Sequence, residues 1–320
     1  MRALVRASAA ARGPARRVAY HRLALSQLSS SSSLPARVYH RYFAGTNTFS
    51  SSARKLSTNM DSQAARNLDG LKGHLTHNKL EELRAFWFEH LTSEADRAIP
   101  RAENQRRWFF GGKEFDDVCV ARFSPILEAI KAAGITSVED ILAVAQPRDP
   151  LDWLSLVILL DQIPRNCYRG AEAAICFTFF DPLAVQLTLK ALEEGLPYNA
   201  PELRWQFSHR NWLYMPLMHS EDVSAHEKAV SGYERMQQDI LSLLEGTGGA
   251  NEYEKKAREV AQADPETAKT FGKINVDFEK KHQVIIEKFG RYPHRNKALG
   301  REPTAEETEY LENGGDTFSA

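Results

Sequence analysis

Three short segments carry residue types that can do chemistry. In LLDQIPRNCYRG (159–170), one carboxylate, two amides and two guanidinium groups follow directly on an apolar run: Asp161, Gln162, Arg165, Asn166 and Arg169. In WLYMPLMHSEDVSAH (212–226), His219 stands two residues before Glu221. In FGRYPHRN (289–296), Arg291, His294 and Arg295 crowd around Gly290 and Pro293. Arginine offers a planar, permanently charged fork that suits carboxylate or phosphate, and histidine titrates near neutrality.

Three readings of these residues follow. In the first, Arg165 and Arg169 pair with Asp161, Glu221 or Asp222 and staple one helix end to the next. Breaking a buried pair of that kind costs about 3–5 kcal/mol. In the second, Arg165, Arg169, Arg291 and Arg295 converge on a small carboxylate or phosphate, with His219 or His294 as a titrating group. In the third, Glu221 or Asp161 serves as a base for hydrolytic or transfer chemistry. The ligand-contacting set expected from the sequence is Asp161, Gln162, Arg165, Asn166, Arg169, His219, Glu221, Arg291, His294 and Arg295.

Other chemistries are less well supported by the spacing. His219, Asp222 and His226 fall at i, i+3 and i+7, one helical face for a metal, but His219 precedes the expected first turn. No metal and no cofactor is therefore expected. Cys167 reads as a small buried hydrophobe rather than a nucleophile. The aromatic runs at 86–88 and 108–110 lack an adjacent basic stripe, so they read as core rather than as base-stacking platforms. EGTGG (245–249) has no strand before it and no Lys-Ser/Thr after it, and reads as a helix terminator.

The elements that must position these residues are helical. Residues 79–91 place Leu80, Leu83, Trp87 and Leu91 at helical spacing. Residues 114–133 carry the stripe Phe115, Cys119, Phe123, Ile126, Leu127 and Ile130, closed by Gly134, with Pro125 expected to kink or break it. Asp149-Pro150 starts an apolar, central helix expected to end near Leu160 or Gln162, because Pro164 disfavours a helical Ile163. Asp181-Pro182 repeats the start signal and Gly195 stops that helix. Ser220 is the expected cap of a helix over 221–245, followed by helices over 251–263 and 265–289 and a capping box at Thr304 and Glu307. No run alternates with β-branched residues, so no sheet is expected.

Five blocks occur in one order: FWF (86–88), RWFFGGKEFD (107–116), LLDQIPRN (159–166), PLMHSED (216–222) and FGRYPHRN. Together they resemble the family catalogued as domain of unknown function 924. The resemblance implies an all-α fold of antiparallel helix pairs in a tetratricopeptide-like superhelical array. It implies no reaction.

The chain's 320 residues divide by charge. Ten of its 41 basic residues lie in positions 1–59, which hold no acid, while the remaining 31 face 42 acidic residues, a net of −11. The basic, Ser-rich span 1–59 reads as a mitochondrial transit peptide, which implies a matrix location; otherwise it is a disordered basic tail, or untranslated sequence ahead of a start at Met60, and the protein is cytoplasmic. A single helical domain is expected over 60–313 and a flexible tail over 314–320. The acidic domain argues against nucleic acid, and the longest strongly apolar run, residues 153–160, is far short of the roughly 20 residues of a membrane span. The expectation is a soluble, helical-repeat-like binding or scaffold module that takes a small anion or a protein partner. The alternative is a small-molecule hydrolase or transferase using the same cluster.

Overall fold

The computed structural model describes residues 68–318, and the basic leader expected over 1–59 lies outside the described residues. Among the described residues the regular structure is helical throughout, without a strand.

Helix α1 (His77–Phe88) starts where the Thr76 side chain accepts from the Lys79 amide, and it buries Leu80, Leu83, Phe86 and Trp87. Helix α2 (Gly112–Ala132) buries the whole expected stripe and stops at Gly134, whose φ of +65° suits glycine. The expected break at Pro125 does not occur. Pro125 and Ala121, whose carbonyl loses its amide partner, both lie on the exposed side, where water can replace the bond. Helix α3 (Val138–Ala145) is capped by Ser137.

Helix α4 (Pro150–Cys167) is the buried centre. Asp149 caps it, and Leu154 to Leu160 are all inaccessible to solvent. It continues through Pro164 rather than ending at Leu160 or Gln162. Pro164 takes away only the amide that would bond the Leu160 carbonyl, and the next two carbonyls carry extra side-chain donors: Arg165 Nη1 bonds the Asp161 carbonyl at 3.0 Å and Asn166 Nδ2 the Gln162 carbonyl at 3.0 Å.

After a 3₁₀ turn at Gly170–Ala173, a π-helical turn at Cys176–Phe180 runs straight into α5 (Asp181–Glu193), which Gly195 ends at φ +70°. Asp181 was expected to start this helix as its cap. The chain is already helical at Phe180, and the Asp181 carboxylate is taken by Arg165 instead. The stretch Gly170–Glu193 contains an 18-residue window with a mean hydropathy of 1.4, enough for a membrane span by length and composition alone. Its Leu183, Ala184, Leu187 and Ala191 are buried in the core of the domain.

Residues 196–218 form a run of one-turn helices whose Trp205, Phe207, Trp212, Leu213 and Tyr214 are buried. Trp212 meets Trp87 edge-on at 5.2 Å and Trp108 at 5.0 Å, joining this run to α1 and to the helix Ala102–Phe110.

Helix α6 (Val223–Glu245) is capped by Asp222, not by Ser220, whose hydroxyl instead accepts from the Asp222 amide. After α7 (Glu252–Ala263) comes α8 (Pro265–Phe289). Helices α6 and α8 run antiparallel, since His226 meets Glu279 while Gly272 packs against Gln237 and Ile240. Helix α9 (Ala305–Glu312) has the expected Thr304/Glu307 capping box. Past it, Gly315 donates to the Tyr310 carbonyl and Phe318 stacks on His282 with ring centroids 3.4 Å apart.

Candidate functional site

The three polar segments meet. Helix α4 contributes Asp161 and Arg165, and His219 follows the one-turn helix Met215–Met218. The 3₁₀ turn Pro293–Arg295 contributes Arg295. Tyr292 ties the third segment to the second: its hydroxyl donates to the Met218 carbonyl at 2.6 Å, and its amide donates to Glu221 Oε1 at 2.9 Å. Arg301 closes on the same Glu221 with bonds of 2.6 and 3.0 Å.

At the centre, the Arg165 fork holds both oxygens of Asp181, Nη1 to Oδ1 at 2.7 Å and Nη2 to Oδ2 at 3.0 Å. Burial disfavours the Arg165 charge, but Asp181 and Asp161 more than offset it and push the group above its ordinary range. Asp161 is inaccessible to solvent. Its Oδ1 lies 2.7 Å from His219 Nδ1, and its Oδ2 accepts from Gln162 Nε2 at 2.6 Å. Burial opposes the Asp161 charge; His219, by its hydrogen bond, and the nearby Arg165 overcome that and hold the carboxyl below its ordinary range. An ionised carboxylate only accepts, so Nδ1 of His219 carries the hydrogen. Burial and the neighbouring Arg165 lower His219 despite Asp161, so the ring is neutral at pH 7.

Arg295 is different. It is 7% exposed, with its guanidinium 4.4 Å from the ring centroids of both Phe177 and Tyr292. Its nearest carboxylate oxygen, Asp181 Oδ2, is 3.6 Å from Nη1, and its buried Nε has no hydrogen-bond partner. Among the described residues the guanidinium donates no hydrogen bond. Burial lowers Arg295, Asp181 acts against this, and Arg165 adds to the lowering.

Arg165 and Arg295 face a cavity of about 530 Å³. Arg169 and Lys297 also line it, as do His219, His282 and His294, and no Asp or Glu does among the described residues. Phe177, Tyr168, Tyr292 and Phe318 supply its apolar wall. Burial pushes His294 down to about 4 and His282 down to about 3, so both are neutral. A second hollow of about 510 Å³ shares Phe177, His219 and Arg295 with the first, and it carries Asp181 and Glu221.

The sequence-derived set divides accordingly. Arg165, Arg169, His219, His294 and Arg295 line the first cavity, and Glu221 lines only the second. Asp161, Gln162 and Asn166 stand behind the wall as supports. Arg169 is partly neutralised at the rim by Asp116, at 2.7 and 3.0 Å. Arg291 does not join the others: it pairs with Glu307 at 2.6 and 2.8 Å and anchors α9. The metal alignment does not form either. Asp222 caps α6, and His226 is held between Glu279 at 2.7 Å and the Ser220 carbonyl at 2.9 Å. His77, Asp149 and Asp152 do cluster within 4.8 Å, but the oxygens of Asp152 already accept from His77 and the Arg148 amide. Burial pushes the thiols of Cys119, Cys167 and Cys176 up to about 12, too high for a nucleophile at neutral pH.

Sequence reasoning missed Asp181, Phe177, Tyr292, His282 and Lys297. Tyr292 sits inside FGRYPHRN and was within reach. Asp181 looked like a cap, and nothing local marks Phe177 or His282.

A solved structure of a protein of unknown function from Agrobacterium tumefaciens aligns at 25% identity over 73% of this chain and 97% of that chain, with a TM-score of 0.47. No curated protein matches the chain. The model of the family described as bacterial protein of unknown function (DUF924) matches residues 83–315, which include all five blocks. That match covers most of the chain, and the protein belongs to this family.

Proposed function

We propose that the protein is a helical binding module that takes a small anion, phosphate or carboxylate, in the 530 Å³ cavity, with Arg295 as its anchor. The observation that carries this reading is the hydrogen-bonding state of Arg295. A buried cation is costly unless paired and hydrogen-bonded, yet among the described residues the Arg295 guanidinium donates no hydrogen bond, and the residue lines a hollow that has no carboxylate in its lining as well as the second one, which carries Asp181 and Glu221. A bound anion supplies the missing acceptors. The volume lies within the roughly 300–1,000 Å³ of small-molecule sites.

Thermal melts with inorganic phosphate, then with phosphorylated and carboxylated metabolites, test the reading. A ligand at about 100 times its dissociation constant adds about 2.7 kcal/mol. For a domain of this size that raises Tm by about 5–11 °C. A flat response across the panel removes the anion and leaves a scaffold.

The composition of residues 1–59 supports a separate proposal, delivery to the mitochondrial matrix. Fusing those residues to a fluorescent protein tests it. A cytosolic signal rejects it.

A further inference from the structure

We infer that the anion cavity is an active site, in which His219 is a general base and the substrate is a small carboxylic ester bearing a second, anionic group. The inference rests on the anion-pocket reading and adds chemistry to it.

The geometry begins with Asp161. Its Oδ1 fixes the hydrogen on Nδ1 of His219, and Gln162 on Oδ2 keeps the carboxylate from turning away. The ring's remaining nitrogen, Nε2, therefore carries a lone pair. Nε2 has no hydrogen-bond partner among the described residues, and His219 lies on the wall common to both hollows. His226 has both nitrogens engaged, by Glu279 and by the Ser220 carbonyl; His282 on the same cavity has Nδ1 on the Phe278 carbonyl and no carboxylate behind it, so His219 is set apart by its bond to Asp161. His219 has one nitrogen fixed and one available, as a base needs. Arg295, on the same wall, holds the anionic end of the substrate.

An acyl centre suits this equipment better than a phosphoryl one. Phosphoryl transfer proceeds through a loose transition state that asks for charge stabilisation more than for an activated nucleophile. Water is a poor nucleophile toward an ester until a base takes its proton. In the step, the water oxygen bonds to the acyl carbon and its proton passes to Nε2. The tetrahedral oxyanion then collapses, the bond to the alkoxy oxygen breaks, and Nε2–H returns the proton to the leaving alkoxide. The products are a carboxylic acid and an alcohol, and His219 ends neutral. Asp161 is a positioning residue that fixes the tautomer.

The test compares the monoanion of para-nitrophenyl hydrogen adipate with the neutral ester para-nitrophenyl hexanoate, using the full chain and inorganic phosphate as competitor. The anionic ester is expected to be cleaved with kcat/KM about ten times or more that of the neutral one. Phosphate competes. His219→Gln, whose side-chain amide can still donate to Asp161, lowers kcat by about 10²–10⁴-fold while phosphate still binds. Asp161→Asn lowers kcat and moves the acid limb of the pH–rate profile to lower pH, because Asp161 raises His219 against the pull of Arg165 and burial. Phosphate binding without ester cleavage above the buffer rate overturns the inference, as does a fully active His219→Gln. Absence of phosphate binding overturns the anion pocket instead.

Discussion

Replacing Arg295 with methionine separates a ligand anchor from a structural staple. Methionine keeps the length of the side chain and packs well against Phe177 and Tyr292, the rings that now sandwich the guanidinium. The substitution removes no hydrogen bond from the guanidinium, because it makes none among the described residues. It removes an ion contact of 3.6 Å to Asp181, which keeps both of its bonds to Arg165. Against these small losses stands the relief of a buried charge and of a buried Nε without a partner. Apolar replacement of a whole buried ion pair is typically neutral to stabilising by about 1–4 kcal/mol, and removing one member costs about 3–5 kcal/mol when it leaves its partner unpaired, which Asp181, still held by Arg165, is not. Losing one positive charge from the cluster offsets part of that gain, so the expected change is about 0 to +3 kcal/mol. At about 2–4 °C per kcal/mol, Tm stays level or rises by up to about 12 °C. Phosphate binding, read by titration calorimetry, is lost. Urea denaturation gives the stability difference independently. A loss of more than about 2 kcal/mol would refute the reasoning, since it would show that the fold draws stability from Arg295.

Three further predictions use the same measurements. Arg165→Met strands Asp181 and removes one neighbour of Asp161, so stability falls by about 3–5 kcal/mol; a change under about 1 kcal/mol contradicts the central role of that fork. Acid weakens the fold well above the carboxylate range. Burial holds His209 and His282 at about 3 and His294 at about 4 against an ordinary 6.5, so the unfolded chain takes up protons first, stability is fully present above pH 6.5, and it is lost as pH falls toward 4. At pH 5 each group costs about 2 kcal/mol, and a urea midpoint that does not move between pH 7.5 and 5 rules this out. In Gly232→Ala, the added Cβ would lie 2.5 Å from Cε1 of the buried Tyr214; the overpacking costs about 1–3 kcal/mol, more than the gain in helix propensity, and a raised Tm means that α6 can shift away from that ring.

Start and stop signals in the sequence located the helices well, because a cap is a local bargain between a side chain and backbone groups a few residues away. Asp149-Pro150, Gly134, Gly195 and the Thr304/Glu307 box all act as the residues suggest. The errors lie where distant groups compete for the same atom. Asp181 has the spacing of a cap, but Arg165 claims it from 16 residues away in sequence. Arg291 looks like a partner of Arg295, since they share a loop, yet Glu307 draws it to the other side. Pro164 reads as a helix end because the sequence shows the missing amide and hides the side-chain donors gathered around the neighbouring carbonyls. The meeting of the segments near 165, 220 and 293 was legible as a need, buried polar groups seeking partners. Which group would be left over was not.

That leftover group decides between the staple and the pocket. Two carboxylates, Asp161 and Asp181, face two guanidinium groups, Arg165 and Arg295. A cluster that served only to join helix ends would pair them two by two. Instead Arg165 takes both oxygens of Asp181, while Asp161 is divided between His219 and Gln162. Among the described residues, the Arg295 guanidinium keeps only ring contacts and one long ion contact. Charge balance is met without its hydrogen-bonding capacity being used, since two negative and two positive groups cancel when His219 is neutral. The staple accounts for Arg165 and the position of Asp181. It does not account for a second cation that donates no hydrogen bond among the described residues at the wall of a cavity, or for a histidine whose Nε2 has no partner among them on the same wall. Both become useful once an anion enters: the donors gain acceptors in a medium that strengthens such bonds, and the imidazole gains something to act on.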